Sequence, residues 1–148
     1  MKKYIILCML AVSSTLAFAQ QRPFGIGALI GTPSGISATF SRSPDRFVDV
    51  LLAWDIEQNT IFQGHYNFRF MSLEKGRDQE TILYGGPGVF FRTVNLEERT
   101  DFGFSGNFGI GWTLKQNLEI YAEISPKVGL VRLSPLTMTG GLGFRYLF

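Results

Sequence analysis

Cysteine and histidine are almost missing from the sequence, with one of each among 148 residues. Cys8 lies in an N-terminal segment that we expect to be removed, so the mature chain would have no disulfide, thiol nucleophile or cysteine-ligated metal. His65 alone does not predict a metal site. The glycine-rich stretches 25–31 and 85–88 lack the remaining residues of a nucleotide-binding motif, so we expect no cofactor.

An excess of positive charge is also missing. The chain has 14 basic and 12 acidic residues. Two of the basic residues, Lys2 and Lys3, fall in the segment expected to be removed, which leaves 12 of each sign (14 − 2 = 12). A neutral mature chain has no electrostatic footprint for nucleic acid, so we expect no nucleic-acid partner.

Long apolar runs are missing beyond the N-terminus, where a shorter one predicts an export signal. Lys2 and Lys3 precede a mostly apolar stretch over 4–16, and Ala17-Phe18-Ala19 has small residues at the two positions a signal peptidase reads. We therefore predict a signal peptide over 1–19, cleaved after Ala19, and a single domain over 20–148. No later run reaches 18 apolar residues, so no transmembrane helix is expected.

Apolar and polar residues instead alternate with the period of two that is typical of β-strands. The clearest alternation covers 102–114, where phenylalanines share one face with Ile110 and Trp112. Proline and three glycines over 85–88 suggest a bulge in one strand. The full pattern predicts eight strands, over 24–31, 35–41, 46–55, 60–70, 81–93, 102–114, 118–125 and 136–148.

The polar faces of these strands indicate which side meets lipid. They mix small residues with charges of both signs, as expected for a narrow lumen filled by side chains, while the opposite faces are rich in aromatic residues. The prediction is an all-β, eight-stranded, antiparallel, up-and-down transmembrane barrel; a soluble sandwich and a lipocalin-like lipid carrier are the alternatives. The predicted lumen network consists of Asp49, His65, Asn67, Arg69, Asn107, Glu119, Glu123 and Arg145.

The last nine residues, GGLGFRYLF, carry an apolar or aromatic residue at every second position up to the end. This pattern resembles the C-terminal signal by which the assembly machinery of bacterial outer membranes recognises a barrel strand. The residues predicted to form that signal are Leu142, Phe144, Tyr146 and Phe148. The barrel-assembly machinery and outer-membrane lipid are thus the expected partners, and the cell outer membrane is the expected location.

Several segments resemble a family of small bacterial outer-membrane proteins of the OmpX/OmpA-like eight-stranded barrel type. They are GIGALIGTPSGIS at 25–37, VDVLLAW at 48–54, HYNF at 65–68, LYGGPG at 83–88, and LEIYAE from 118 onward to the C-terminus. The resemblance implies a fold and a location but no activity. One feature departs from the family: the longest predicted connection, 71–80, would be a periplasmic turn, where short turns are the rule.

A structural or interaction role in the cell envelope, without catalysis, is the expected function. A lipid A deacylase-like enzyme would need a serine near His65, and no serine has the required spacing in the sequence. His65 is expected to bond Asn67, Arg69 or a neighbouring strand. A narrow pore is a further alternative, and a monomer is favoured, although the sequence does not fix the oligomeric state.

Two carboxylates, Glu119 and Glu123, could suggest acid–base chemistry. Four residues apart on one strand, their Cα atoms lie roughly 13 Å apart, which exceeds the carboxylate spacing of glycosidases. We therefore expect an ion-pair network with Arg69, Arg145 and Lys127. The run Glu97-Glu98-Arg99-Thr100-Asp101 is interpreted as a solvated hairpin tip.

Overall fold

The computed structural model describes residues 24–54, 59–74, 79–94, 99–114, 117–131 and 136–148. The predicted signal peptide and Asp55 lie outside the described residues. The described chain forms eight strands: β1 (Phe24–Thr32), β2 (Ser34–Ser43), β3 (Arg46–Trp54), β4 (Thr60–Glu74), β5 (Gln79–Val94), β6 (Arg99–Leu114), β7 (Leu118–Gly129) and β8 (Thr137–Leu147).

The strands form one closed antiparallel barrel in chain order, which confirms the predicted architecture. β8 pairs with β1 over a register that runs from Gly140 opposite Thr32 to Leu147 opposite Gly25. At one end of the barrel the Phe148 N–H donates to the carbonyl of Phe24 at 2.8 Å. Closure leaves no sheet edge, which is what a strand-built protein needs where backbone groups cannot bond water.

The alternation of apolar and polar residues in the sequence corresponds to outward-facing and inward-facing positions of the barrel wall. Phe104, Phe108 and Trp112 point outward with 62%, 54% and 39% of their surface exposed, whereas Asn107 between them is fully buried. Among the described residues, buried side chains are more often polar or charged (14) than hydrophobic (9). A lipocalin-like carrier would have the reverse arrangement, with its apolar faces turned toward a ligand inside.

The barrel interior is not uniformly polar. One apolar cluster inside the wall contains Leu29, Leu51, Ala53 and Tyr121, and a second contains Phe47, Ile82 and Tyr84. Sequence reasoning assigned small and charged residues to the lumen, but these larger residues also lie on inward positions of their strands. The interior therefore combines hydrophobic packing with ion pairs and hydrogen bonds.

Three predicted details of the strands are wrong. Residues 71–80 are not a long connection, because β4 continues to Glu74 and β5 begins at Gln79. The strand register shifts between Arg69 and Met71 of β4, not at Pro87, which stays in register with Gly106 of β6. The hairpin tip interpreted over 97–101 is shorter, because Arg99–Leu114 is strand β6 and Asp101 pairs with Arg92.

All connections between strands are short. β1 and β2 are separated by Pro33 alone, where the Ser34 hydroxyl donates to the carbonyl of Gly31 at 3.0 Å. The longest connection joins β7 to β8 over residues 130–136. None of the described residues belongs to a helix long and apolar enough to cross a membrane.

Candidate functional site

A layer of charge crosses the barrel interior. Arg145 of β8 donates from both terminal nitrogens to the two carboxylate oxygens of Asp49, on β3 across the lumen, each at 3.3 Å. Its Nε lies 3.4 Å from Glu119 of the neighbouring strand β7. The guanidinium also sits 3.8 Å from the centre of the Tyr121 ring. All four side chains are buried, so the two carboxylates, the guanidinium and the ring together close this level of the lumen.

A third carboxylate, that of Glu123, lies two inward positions beyond Glu119 on β7. It accepts hydrogen bonds from the Tyr84 hydroxyl and the Asn107 amide, each at 3.4 Å. Asn107 also donates to Asn67 at 3.4 Å and accepts from Ser125 at 3.3 Å. Glu123 is therefore held by neutral donors, not by the ion pairs that sequence reasoning assigned to it.

His65 lies one inward position before Asn67 on β4. Its Nε2 shares a hydrogen bond of 3.0 Å with the hydroxyl of Ser105 on β6. The Gln63 amide nitrogen lies 3.2 Å from the same ring nitrogen and donates to Ser125 at 3.4 Å. The ring reaches Ser105 across β5, because Gly88 lies between them and any side chain there would collide with the His65 ring.

Lys127 stands next to this histidine cluster, directly opposite Ser105 in the register of β6 and β7. The side chain is buried, and its Nζ has no hydrogen-bond partner among the described residues. Its Nζ lies 5.8 Å from the centre of the Phe90 ring. Lys127 is thus not part of the Glu119 and Glu123 ion pairing that the sequence suggested.

Arg69 is the one predicted network residue that is not buried. It is partly exposed at the end of the barrel where β1 begins and β8 ends, which we call the terminal mouth. Its guanidinium lies 5.7 Å from the centre of the Phe47 ring. Arg69 therefore faces the lumen at its entrance, while the other seven predicted residues are buried within it.

Sequence reasoning assigned the inward faces but not the contacts between them. Ser105 was missed as the partner of His65, because the two are 40 residues apart and on strands that are not adjacent. Tyr84 and Tyr121 were not recognised as lumen contacts, since aromatic residues in a barrel are expected to face lipid. The available signal for Tyr121 was its position between Glu119 and Glu123 on the polar face of β7.

Within the described ranges, no three His, Cys, Asp or Glu side chains come together in a way that could hold a metal ion. What the interior offers instead is fixed hydrogen bonds and one ion-paired layer.

Solved structures with a similar backbone identify the fold. The N-terminal β-barrel domain of Pseudomonas aeruginosa OprF matches with a TM-score of 0.61 and 12% identity, over 84% of this chain and 95% of that one. A de novo designed transmembrane β-barrel matches with a TM-score of 0.60 and 16% identity, over 87% and 98% of the two chains. The fold is that of an eight-stranded outer-membrane-type barrel. At these low sequence identities, the structural similarity supports an assignment of the fold and nothing further.

No family model matches the sequence, and no curated protein is significantly similar to it. The function must therefore be argued from the barrel itself.

Proposed function

We propose that this protein is an outer-membrane barrel with a closed lumen, whose role in the cell envelope is structural or interactive. The observation that carries the proposal is the buried Asp49–Arg145–Glu119 layer, which crosses the lumen. A charged layer of this kind holds opposite walls together and fills the space that a diffusion pore would need.

Three features support the location. The outward faces are apolar, the strands are 9 to 16 residues long, and about 9–11 tilted residues are enough to cross a bilayer. Aromatic side chains gather at the terminal mouth, where the Phe24 ring lies 5.1 Å from Phe40 and 5.8 Å from Phe148. The predicted signal peptide and C-terminal strand pattern are those of an exported barrel.

Fractionation of a cell that expresses the full chain tests the location. We expect the protein in the outer-membrane fraction, without its first 19 residues, and migrating differently on gels before and after boiling. Recovery from the periplasmic fraction with a copurified apolar ligand would contradict the proposal in favour of a soluble lipid carrier. Crosslinking in the same membranes tests the proposed monomer.

Conductance measurements in planar bilayers test the closed lumen. We expect the unchanged protein to give no stable single-channel currents, because Arg145 and its two carboxylate partners are buried together inside the lumen. Steady currents that grow in an Arg145→Ala or Glu123→Ala variant would show a narrow pore instead.

A lipid-modifying hydrolase is the second candidate, and the 3.0 Å contact between His65 and Ser105 favours it. A base within hydrogen-bond reach of a hydroxyl is the arrangement that nucleophilic catalysis needs. Both residues are buried, however, and the group beside the ring is the Gln63 amide, where a catalytic triad has a carboxylate. We therefore propose that this pair is structural.

Lipid analysis of cells that express the protein or its Ser105→Ala variant separates the two functions. The structural proposal predicts the same lipid profile in both. A lipid product that disappears with Ser105→Ala, while the barrel still folds, would establish the enzyme.

A further inference from the structure

A cavity of about 310 Å³, lined by both polar and apolar side chains, opens at the terminal mouth. Its wall carries the charged side chains Arg69, Glu80 and Glu119 and the hydroxyl side chains Thr39, Ser41 and Thr113. Cavities of about 300 Å³ and above are the size in which proteins hold small molecules. Arg145 and Glu119 of the ion-paired layer also line this cavity, which we call the cup.

Arg69 contributes a positive charge to this wall. Within the described part of the chain its side chain forms no hydrogen bond or ion pair, and its Nε is buried without a partner. Its contact with the Phe47 ring fixes the guanidinium in place without neutralising it. A guanidinium held in this way matches the planar, two-oxygen geometry of a carboxylate.

Glu80 contributes a negative charge to the same wall. Its carboxylate accepts a hydrogen bond from the Ser72 hydroxyl at 2.6 Å and forms no ion pair with another described residue. Glu119, the other carboxylate of the cup, already pairs with Arg145. The cup therefore presents one unpaired charge of each sign, beside a set of hydroxyl groups.

We propose that the terminal-mouth cup binds a small zwitterion, such as an amino acid or a short peptide. Arg69 pairs with the ligand carboxylate, Glu80 pairs with its ammonium group, and the hydroxyls of Thr39, Ser41 and Thr113 satisfy its remaining polar atoms. A dianion such as phosphate fits less well, because Glu80 and Glu119 repel a second negative charge. This inference does not depend on the proposed envelope role.

Titration of the purified barrel in lipid nanodiscs, followed by backbone amide NMR shifts, tests the proposal. The probes are alanyl-alanine, its N-acetylated form, its C-terminal amide and inorganic phosphate. We expect alanyl-alanine to bind most tightly and to shift the amides of Thr39, Ser41 and Thr113. Each singly charged form should bind about tenfold more weakly, because it loses one charge-assisted contact.

Variants assign the binding to the two charges. Arg69→Gln should weaken alanyl-alanine binding about tenfold, and Glu80→Gln should bring it down to the level of the N-acetylated form. Arg92→Gln is the matched control, because Arg92 also faces inward over a phenylalanine, at 5.9 Å from Phe90, but at the opposite mouth. It should leave binding unchanged.

Three outcomes would overturn the proposal, provided that boiling still changes the gel mobility of each variant. They are the absence of saturable shifts with alanyl-alanine, equal affinity for phosphate, and binding that Arg69→Gln does not weaken.

Discussion

Three large inward-facing side chains each lie opposite a glycine on a neighbouring strand. His65 faces Gly88, Tyr84 faces Gly109, and Tyr121 faces Gly143, each pair directly across neighbouring strands. A Cβ at any of these glycines would collide with the ring opposite. The ring lies over the glycine backbone and fills the space that a second side chain would occupy.

Gly88→Ala should therefore destabilise the folded barrel by about 1–3 kcal/mol, because the new methyl group must displace the His65 ring or the Gly64 carbonyl. Gly64→Ala is the control. A Cβ there has Asp49 O at 3.9 Å as its nearest neighbour, so the change should be close to neutral. Urea unfolding in lipid vesicles measures both, and equal effects of the two substitutions would contradict the role assigned to Gly88.

The ion-paired layer gives a second prediction for single residues. Arg145→Met should cost about 3–5 kcal/mol of unfolding free energy, because it leaves Asp49 and Glu119 buried without their cation. Adding Asp49→Asn and Glu119→Gln to the same chain should restore much of that loss. If the triple variant is no more stable than Arg145→Met in the same urea titration, loss of packing and not uncompensated charge explains the effect.

β8 is the strand that completes the barrel in chain order. It pairs with both β7 and β1, so the barrel closes only when it is in place. The Phe148 ring stacks on Phe24 and lies 5.0 Å from Tyr146, which ties the end of the chain to its beginning.

Deletion of Phe148 should lower the yield of membrane-inserted, heat-modifiable barrel several-fold. Phe104→Ala is a matched control, since Phe104 is equally exposed, at 62% against 60%, but lies inside β6 and not at a chain end. The prediction is wrong if the two variants insert equally well in a cell with intact assembly machinery.

The number and faces of the strands could be predicted from the sequence, because alternation is a local property. Asn107 and Glu119 were assigned to the lumen from their immediate neighbours alone. The ends of β4, β5 and β6 could not be predicted, since polar residues such as Glu74 and Arg99 continue the strands beyond the apolar pattern. Contacts such as His65 to Ser105 depend on the register of three strands together, which no single segment specifies.

As a whole, the molecule has its apolar surface outside, so its stability should depend on lipid in a position-dependent way. Phe104→Arg should cost about 2–4 kcal/mol in a bilayer if this position is near the midplane. Thr100→Arg, exposed near the end of the same strand, should cost about 1 kcal/mol or less. Unfolding in vesicles gives both values, and equal costs would argue against a membrane-spanning β6.

An even number of strands returns the polypeptide to the side from which it started. Phe24 and Phe148 are neighbours at the terminal mouth, so reporter proteins fused to either end of the mature chain should occupy the same compartment. An epitope tag placed between β7 and β8 should be reached by antibody from the opposite side. Labelling intact and permeabilised cells with such pairs of tags would establish which compartment the cup faces.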